Sequence, residues 1–168
     1  MKLYFDTITT PLGDMTAVAM ESGAICLLDF RDCQDRSEAL LKRRFASFDR
    51  AQRKNPQAIR DRMGDYFTGG NARTTFDGLL LDTDGTPFQN AVWKVLGEIP
   101  YGETISYSDL ARRASSPRAV RAVGSANGQN PISIIIPCHR VIAKNGTLAG
   151  YAGGMDRKRK LLTLEGSL

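Results

Sequence analysis

The 168-residue sequence has few of the residues that form metal sites and disulfides. It contains one histidine, His139, and three scattered cysteines, Cys26, Cys33 and Cys138, with no C-x-x-C pair. An odd number of cysteines without clustered spacing argues against a disulfide framework and is typical of the reducing cytoplasm. One histidine without paired cysteines supplies too few ligands for a zinc site. We therefore expect a cytoplasmic protein that uses no metal and no other cofactor.

Long apolar runs are also absent. A transmembrane helix needs about 20 consecutive apolar residues, and no stretch of the sequence approaches this length. The N-terminal segment MKLYFDTITT lacks the apolar centre and the small-residue cleavage site of a signal peptide. The hydrophobic content of 42% and the charged content of 24% are those of an ordinary globular protein. The composition predicts a protein that does not enter a membrane.

Acidic residues are scarce only in the second half of the chain. Residues 1–85 carry 12 Lys+Arg and 13 Asp+Glu, whereas residues 86–168 carry 11 and 5, a net charge of +6. A basic half joined to a neutral half is typical of a domain that binds a polyanion and is supported by a second domain. A solvated basic surface without any partner would have the same composition, so charge alone leaves both interpretations open.

Turn-forming residues at Asp82–Gly85 divide the chain and predict two domains, residues 1–82 and 86–168. The first domain is predicted to contain three strands and two helices, at Lys2–Ile8, Met15–Met20, Ala24–Phe30, Ser37–Phe45 and from Asn55–Pro56 to Gly69–Gly70. This half shows no catalytic constellation. Cys26 lies within an apolar strand, and we assign no role to Cys33. The first domain is therefore expected to be a small α+β scaffold.

The second domain begins with three predicted helices. Thr86 followed by Pro87 starts the first, and Ser106 with Asp109 three residues later starts the second. The third is predicted from Arg118 to about Asn127. Two short helices joined by a tight turn in a basic domain fit a helix-turn-helix.

The third helix has two distinct sides. At 100° per residue, Ala119, Val123 and Ala126 share one side, whereas the other side carries or adjoins Arg118, Arg121, Ala122 and Ser125. Two guanidinium groups among small side chains suit a close approach to a nucleic-acid groove. A solvated face of a surface helix is an equally open alternative.

The segment Ile132–Val141, ISIIIPCHRV, is the most informative part of the chain. Its β-branched run predicts a buried strand that Pro137 ends, and Cys138, His139 and Arg140 follow directly. A cysteine among apolar residues is more often a buried small hydrophobe, but a flanking imidazole and guanidinium favour a reactive thiolate. We therefore interpret Cys138 as a nucleophile. Because adjacent strand residues point to opposite faces, the imidazole serves the thiol only in a turn or through a water.

The remaining residues form a glycine-rich segment and a final helix. IAKNGTLAGYAGG either brings backbone N–H groups to a ligand or forms a flexible surface turn. Asp156 is predicted to cap the helix Arg157–Leu164, with Leu161, Leu162 and Leu164 packed inward. The basic run Arg157–Lys160 is expected to lie in solvent.

These segments resemble the O6-alkylguanine-DNA alkyltransferase family. PCHRV at 137–141 is similar to its active-site signature, and TPFQNAVWKVL, ISYSDLA, RAVRAVG, NPISIIIPCHRVI, GYAGG and LLTLEG are similar to other family segments in the same order. The first half resembles the family mainly in layout, with TPLG at 10–13 and DYF at 65–67. The resemblance implies an α+β fold with an N-terminal RNase H-like α/β domain and a C-terminal helical domain that contains a winged helix-turn-helix.

The resemblance also implies direct-reversal DNA repair in which one protein molecule acts once. Cys138 would take the alkyl group from O6-alkylguanine, and O4-alkylthymine stays open as a further substrate. His139 would accept the thiol proton through a water, with its ring oriented by Glu165. Tyr107 would donate a hydrogen bond toward N3 of the leaving guanine. Asn130 would hold the recognition helix against the active-site segment.

Further residues are implied to bind the substrate. Main-chain groups of Cys138 and Val141 would bind the guanine edge, Tyr151 and Ala152 would line the pocket, and the backbone N–H of Ala152 would face O6. Arg121 would fill the space of the extruded nucleotide. The same DNA-binding surface would include Tyr107, Arg118, Ala122 and Ser125. The implied partner is double-stranded DNA containing alkylated guanine, bound by a protein that is a monomer in solution, with cooperativity on DNA left open.

Two other functions stay open beside this one. A regulator that binds damaged DNA without chemistry would share the helix-turn-helix, although Cys138 argues against it. A hydrolase with a Cys–His–Glu triad would share the thiol and imidazole, but it would turn over repeatedly. The zinc site of some family members needs histidine in the first domain, where this chain has none, so the resemblance implies a metal-free protein.

Overall fold

A computed structural model of the chain describes residues 1–69 and 75–168. These residues form two compact units, Met1–Asp84 and Gly85–Leu168. The fold is a mixture of α-helices and β-strands, as the sequence predicts. Within the described ranges, no helix is long and apolar enough to cross a membrane.

The first unit is built on a four-stranded sheet, as far as the described residues show. Its elements are β1 (Lys2–Ile8), β2 (Met15–Ala19), β3 (Ile25–Phe30), α1 (Gln34–Arg44), β4 (Asp49–Gln52) and α2 (Ile59–Phe67). The strand order is β3-β2-β1-β4, with β1 antiparallel to β2 and parallel to β4. The three predicted strands are confirmed to within one residue at each end. The polar strand β4 was not predicted.

The core of the first unit lies between the sheet and α1. Leu3, Val18 and Leu27 of the strands pack against Leu41 and Phe45. Burial of such side chains stabilises a fold by about 1.5–3 kcal/mol each. Cys26 belongs to the same cluster, as predicted, and burial raises the pKa of its thiol to about 11.

The second helix of this unit begins later than predicted. Pro56–Ala58 forms a short 3-10 turn, and α2 starts at Ile59. Asn55 adopts a left-handed conformation with φ of +51°, and its Oδ1 accepts the backbone N–H of Arg60 at 2.7 Å. The helix ends at Phe67; of the predicted terminal glycines, Gly69 has a φ of +73° and Gly70 lies outside the described residues.

The second unit combines four helices with one short pair of strands. Its elements are α3 (Pro87–Gly97), β5 (Ile105–Ser106), α4 (Tyr107–Arg113), α5 (Val120–Gly128), β6 (Val141–Ile142) and α6 (Met155–Leu164). Strands β5 and β6 pair in parallel. The predicted N-caps are confirmed for α3, where Thr86 accepts the N–H of Gln89, and for α4, where Ser106 accepts that of Asp109.

Two predicted helix starts are wrong. Helix α5 begins at Val120, so Arg118 lies in the turn before it, where Ala119 has the non-helical angles φ −109° and ψ 37°. Helix α6 begins after Gly154, and Asp156 pairs with Lys160 at 2.8 Å instead of capping the helix. Leu164 is 36% exposed, because the helix turns it away from the core.

The strand predicted at Ile132–Ile136 is also wrong. This buried segment is a series of turns in which Ile134 has a φ of +71°. A β-branched residue in the left-handed region is strained by about 1–3 kcal/mol, so the surrounding contacts must impose this conformation. They come mainly from Asn130.

Candidate active site

Asn130 shapes the segment that leads to Cys138. Its side chain is fully buried; Oδ1 accepts the N–H of Ile132 at 2.9 Å, and Nδ2 donates to the carbonyl of Ile136 at 2.7 Å. These bonds satisfy backbone groups that a strand would have paired with a neighbour. The chain therefore turns compactly before Cys138, where the sequence predicted an extended approach.

Cys138, His139 and Arg140 form one 3-10 turn after Pro137. All three side chains are buried, with Cys138 at 4% exposure. The turn is closed by the N–H of Arg140, which donates to the carbonyl of Pro137 at 3.0 Å. In a turn, neighbouring side chains are not forced to opposite faces as they are in a strand. The geometric obstacle to a joint role of thiol and imidazole is therefore removed.

Glu165 joins two members of this turn to the C-terminal end of α6. Its carboxylate lies 2.8 Å from His139 Nε2 and accepts two hydrogen bonds from Arg140, each at 2.9 Å. Arg140 also donates to the carbonyl of Ile99 at 2.7 Å. Because a carboxylate only accepts, the imidazole proton sits on Nε2. His139 Nδ1, which is buried and has no hydrogen-bond partner among the described residues, is then the basic nitrogen.

The protonation states of this group follow from burial and pairing. Burial lowers the pKa of His139, against the opposing effect of Glu165, so the imidazole is neutral near pH 7. Burial alone would raise the pKa of Glu165, but the hydrogen bonds and charges of His139 and Arg140 lower it to about 2. The site thus contains a neutral base held by an ionised carboxylate.

A cavity of about 230 Å³ opens beside Cys138. It is lined by Tyr107, Gly150, Tyr151 and Ala152, together with three α5 residues, Gly124, Asn127 and Gly128. The buried thiol therefore has an open space beside it, which a nucleophile needs if it is to meet a substrate.

Tyr107 and Lys158 both contact the segment Ala149–Gly150, which leads into the cavity lining. The Tyr107 hydroxyl donates to the carbonyl of Ala149 at 2.8 Å. Burial raises the pKa of Tyr107, so the phenol keeps its proton. Lys158 Nζ, on α6, donates to the same carbonyl at 2.8 Å and to those of Val141 and Gly150 at 2.5 and 3.1 Å.

The structure brings most of the predicted chemical residues together. Those that line the cavity or the adjoining buried cluster are Cys138, His139, Glu165, Tyr107, Asn130, Val141, Tyr151 and Ala152. Of the residues predicted to touch DNA, Tyr107 lines the cavity, whereas the other four lie apart from that cluster. Arg121, Ala122 and Ser125 are exposed on α5, and Arg118 is exposed in the preceding turn.

Three residues of the site received no role from the sequence. Arg140 was noted only as a neighbour of Cys138, yet it shares Glu165 with His139. Asn127, which is 4% exposed, lines the cavity and donates weakly to the Cys138 carbonyl at 3.5 Å. Lys158 is fully buried, so the prediction that this basic run lies in solvent is wrong for it. Only the apolar spacing around Lys158 on its helix could have signalled its burial.

Metal ligands do not cluster in the described ranges, where no group of three or more His, Cys, Asp or Glu side chains could hold an ion. None of the three cysteines forms a disulfide.

Comparison with known proteins relates the chain to methylated-DNA–protein-cysteine methyltransferases. A family model described as "6-O-methylguanine DNA methyltransferase, DNA binding domain" matches residues 87–167. The methylated-DNA–protein-cysteine methyltransferase of Salmonella typhimurium is 45% identical over 170 residues, which cover 100% of this chain and 98% of that protein. The protein of the same name from Methanosarcina barkeri is 44% identical over 163 residues, covering 97% of each chain.

A solved structure shows the same fold. The crystal structure of Mycobacterium tuberculosis OGT in complex with DNA matches with a TM-score of 0.80 and 38% identity, covering 99% of this chain and 94% of that one. Sequence identity of this degree along the whole chain, together with a shared fold, shows common descent. The chain belongs to the methylated-DNA–protein-cysteine methyltransferase family.

Proposed function

We propose that this protein repairs double-stranded DNA by moving the alkyl group of O6-alkylguanine to the sulfur of Cys138, once per molecule. The observation that carries the proposal is the placement of Cys138. Its sulfur belongs to a buried turn next to a neutral imidazole, and it faces a cavity. Family membership supplies the substrate class, and the basic second half is suited to a DNA partner.

Access to the cavity requires that the damaged nucleotide leave the duplex. A base inside the stack is out of reach of a buried thiol, and its extrusion costs a few kcal/mol. Helix α5 is suited to this step, because Arg121 is exposed on it while Gly124 and Asn127 of the same helix line the cavity. Arg121 would fill the vacated space, and the base would enter beside the helix.

Arg118, Ala122 and Ser125 would contact the backbone and groove around the extruded nucleotide. All three are exposed near Arg121. Small side chains let a helix approach DNA closely, and guanidinium groups neutralise phosphates. We propose that this helix enters the minor groove, whose degenerate pattern suits repair at any sequence.

Inside the cavity, backbone groups would hold the guanine. The carbonyls of Cys138 and Val141 would accept from the guanine edge, the N–H of Ala152 would face O6, and Tyr151 would pack against the ring. The Val141 carbonyl already accepts from Lys158, but a carbonyl oxygen has a second lone pair for the base.

The chemical step is an in-line displacement at the alkyl carbon. His139 Nδ1 would take the Cys138 proton through a water, and the sulfur lone pair would form the new S–C bond as the C–O6 bond breaks. The electron pair of that bond passes into the purine, where a hydrogen bond from Tyr107 to N3 stabilises it. Glu165 stabilises the imidazolium that forms. The guanine anion then takes up a proton at N1 from water, and the imidazolium returns the thiol proton to water. The products are a thioether on Cys138 and unmodified guanine, and since no step breaks a thioether, the protein acts once.

Finer features of the architecture belong to the same proposal. A sheet of order β3-β2-β1-β4 with β1 parallel to β4 is compatible with an RNase H-like first domain. Helices α4 and α5 with the β5–β6 pair are compatible with a winged helix-turn-helix in the second. We propose that the protein acts as a monomer without a metal, which sedimentation and metal analysis of the purified chain would test.

The direct test is a mass measurement on the Cys138 peptide. After incubation with an O6-methylguanine duplex, we expect this peptide to gain one methyl group, with at most one equivalent transferred. Cys138→Ser should bind the duplex but transfer nothing, whereas the matched control Cys33→Ser should transfer normally. An unmodified Cys138 in protein that binds the duplex would indicate a non-catalytic regulator, and repeated turnover of an ester would indicate a hydrolase.

A further inference from the structure

Lys158 is a charged side chain that the mechanism above does not use. It lies on α6 in a run of four basic residues, but it is fully buried while Arg159 and Lys160 are exposed. Removing an ammonium group from water is costly unless its donors are satisfied. Here they are satisfied by three backbone carbonyls, so its place in the fold is specific.

The three carbonyls belong to two separate segments next to the active site. Val141 directly follows the turn that carries Cys138. Ala149 and Gly150 lead into the segment that lines the cavity. The Nζ atom of Lys158 lies 2.5, 2.8 and 3.1 Å from the oxygens of Val141, Ala149 and Gly150. A protonated lysine has three N–H donors, and a neutral one has two. The arrangement therefore matches the ammonium form.

The same contacts affect how easily the Tyr107 hydroxyl can donate a hydrogen bond to a bound guanine. Its hydroxyl donates to the Ala149 carbonyl at 2.8 Å, which Lys158 also occupies. To donate to a bound guanine, the hydroxyl must leave this carbonyl. A buried carbonyl that loses its donor is destabilised, but at Ala149 the lysine remains as a second donor. The cost of releasing Tyr107 is thereby reduced.

We propose that Lys158 is a positioning residue for alkyl transfer: its ammonium fixes the Ala149–Gly150 segment to the active-site turn and thereby frees the Tyr107 hydroxyl for the substrate. This inference rests on the proposed function, because it assigns a role within that reaction. Gly150, whose carbonyl accepts from Lys158, has a φ of +55°. It lies beside Tyr107, since a Cβ at this position would be 3.6 Å from the Tyr107 hydroxyl.

The charge state of Lys158 gives the transfer rate a pH dependence that a purely structural role would not produce. Burial lowers its pKa to about 8, although a Cys138 thiolate would raise it. The other titratable groups that face it are Tyr107 and His139. Burial raises the pKa of Tyr107 and lowers that of His139, so neither titrates just above neutral pH. Loss of the Lys158 proton should slow transfer, whereas ionisation of Cys138 would accelerate it, and the two effects have opposite signs.

The test uses the full chain with free O6-benzylguanine, which reports on the cavity without contacts to DNA. We expect Lys158→Met to lower the maximal transfer rate at least about tenfold, because a small misplacement in a site is costly. The wild-type rate should fall as the pH rises through about 8, and this fall should be absent in Lys158→Met. The matched control is Lys160→Met on the same helix, which should keep both the rate and the alkaline fall.

The outcomes separate this inference from the proposed function. If Lys158→Met reacts at the wild-type rate and keeps the alkaline fall, the inference is overturned and the proposed function is not affected. If Lys158→Met does not fold, Lys158→Arg decides, because a guanidinium keeps its charge across this pH range. An alkaline fall that persists in Lys158→Arg would also overturn the inference. A wild-type protein that leaves Cys138 unmodified would instead overturn the proposed function.

Discussion

His139 donates its Nε2–H to Glu165 across 2.8 Å, and both side chains are fully buried. The same carboxylate accepts from Arg140 at 2.9 Å. One acidic group near the end of the chain thus holds both neighbours of Cys138. The orientation of the imidazole, with Nδ1 as its basic nitrogen, and the stability of the turn therefore depend on the same carboxylate.

Glu165→Gln should therefore impair both transfer and stability. The amide can still accept from His139, but it cannot stabilise an imidazolium or neutralise Arg140. We expect methyl transfer to slow by about 10²-fold, within the range for impaired proton transfer, and the free energy of unfolding to fall by about 3 kcal/mol, as for a broken buried ion pair. Single-turnover transfer and urea unfolding measure the two effects.

The control for this variant is Glu103→Gln, the same substitution at an exposed carboxylate of the second unit. It should change neither quantity appreciably, because exposed charges contribute little to stability. An unaltered transfer rate in Glu165→Gln would show that the buried carboxylate does not assist the imidazole.

Acid should destabilise the wild-type protein through Glu165. Its pKa in the fold is about 2, against an ordinary value of 4.5. A depressed carboxyl pKa contributes stability that is fully present above the ordinary value and is lost as the pH falls toward the folded value. A shift of this size corresponds to about 3 kcal/mol. We expect the loss between pH 4.5 and about 2.

Urea unfolding at a series of pH values measures this loss. Subtracting the profile of Glu165→Gln from that of the wild type isolates the contribution of one carboxyl, since the other acidic groups are common to both proteins. The difference should be constant above pH 4.5 and shrink below it. Parallel profiles throughout the acid range would contradict the assignment.

Local chemistry was sufficient to predict much of this fold. Thr86 with Pro87, and Ser106 with Asp109, specify helix starts by satisfying backbone donors within a few residues. The three predicted strands of the first unit are short segments rich in apolar residues between turn signals. Strand β4 was missed because its sequence, DRAQ, has no buried residue and so no hydrophobic alternation.

The active-site turn and Lys158 could not be predicted from local patterns. The run Ile132–Ile136 has a high strand propensity, but the buried side chain of Asn130 supplies the hydrogen bonds that a neighbouring strand would have made. Lys158 stands in a basic run typical of solvent, and its three acceptors come from Val141 and from Ala149–Gly150. The apolar spacing around Lys158 bears only on its burial, and its contacts with distant segments leave no periodic signal in the sequence.

Arg121→Ala should separate duplex repair from chemistry. If Arg121 fills the space of the extruded nucleotide, its loss removes a contribution to flipping that free base does not need. We expect repair of an O6-methylguanine duplex to slow about tenfold or more, in line with the few kcal/mol that flipping costs, while reaction with free O6-benzylguanine is retained. The two rates are measured on the same protein preparation.

Arg118→Ala is the matched control for charge. Arg118 is exposed in the turn before α5, so its loss should weaken duplex binding and lower its salt dependence, as for a phosphate contact, with little effect on the rate once the duplex is bound. Equal losses on duplex and free base in Arg121→Ala would show that Arg121 acts on the cavity and not on the DNA.

Asn130→Ala should destabilise the turn that presents Cys138. The substitution leaves the N–H of Ile132 buried without its present acceptor, which costs about 1–3 kcal/mol. It also removes one of two donors to the Ile136 carbonyl, which keeps the N–H of Cys138 at 2.8 Å, and this loss costs about 0.5–1.5 kcal/mol. We expect the free energy of unfolding to fall by about 2–4 kcal/mol, whereas Asn145→Ala in an exposed turn should cost much less. Because the strained Ile134 conformation then loses the Asn130 bonds on both sides of it, we expect the segment to relax toward an extended form. Cys138 would then move relative to its cavity, so reaction with free O6-benzylguanine should slow even under conditions where Asn130→Ala is fully folded. A variant that is destabilised but reacts at the wild-type rate would show that the turn supports the fold without positioning the sulfur.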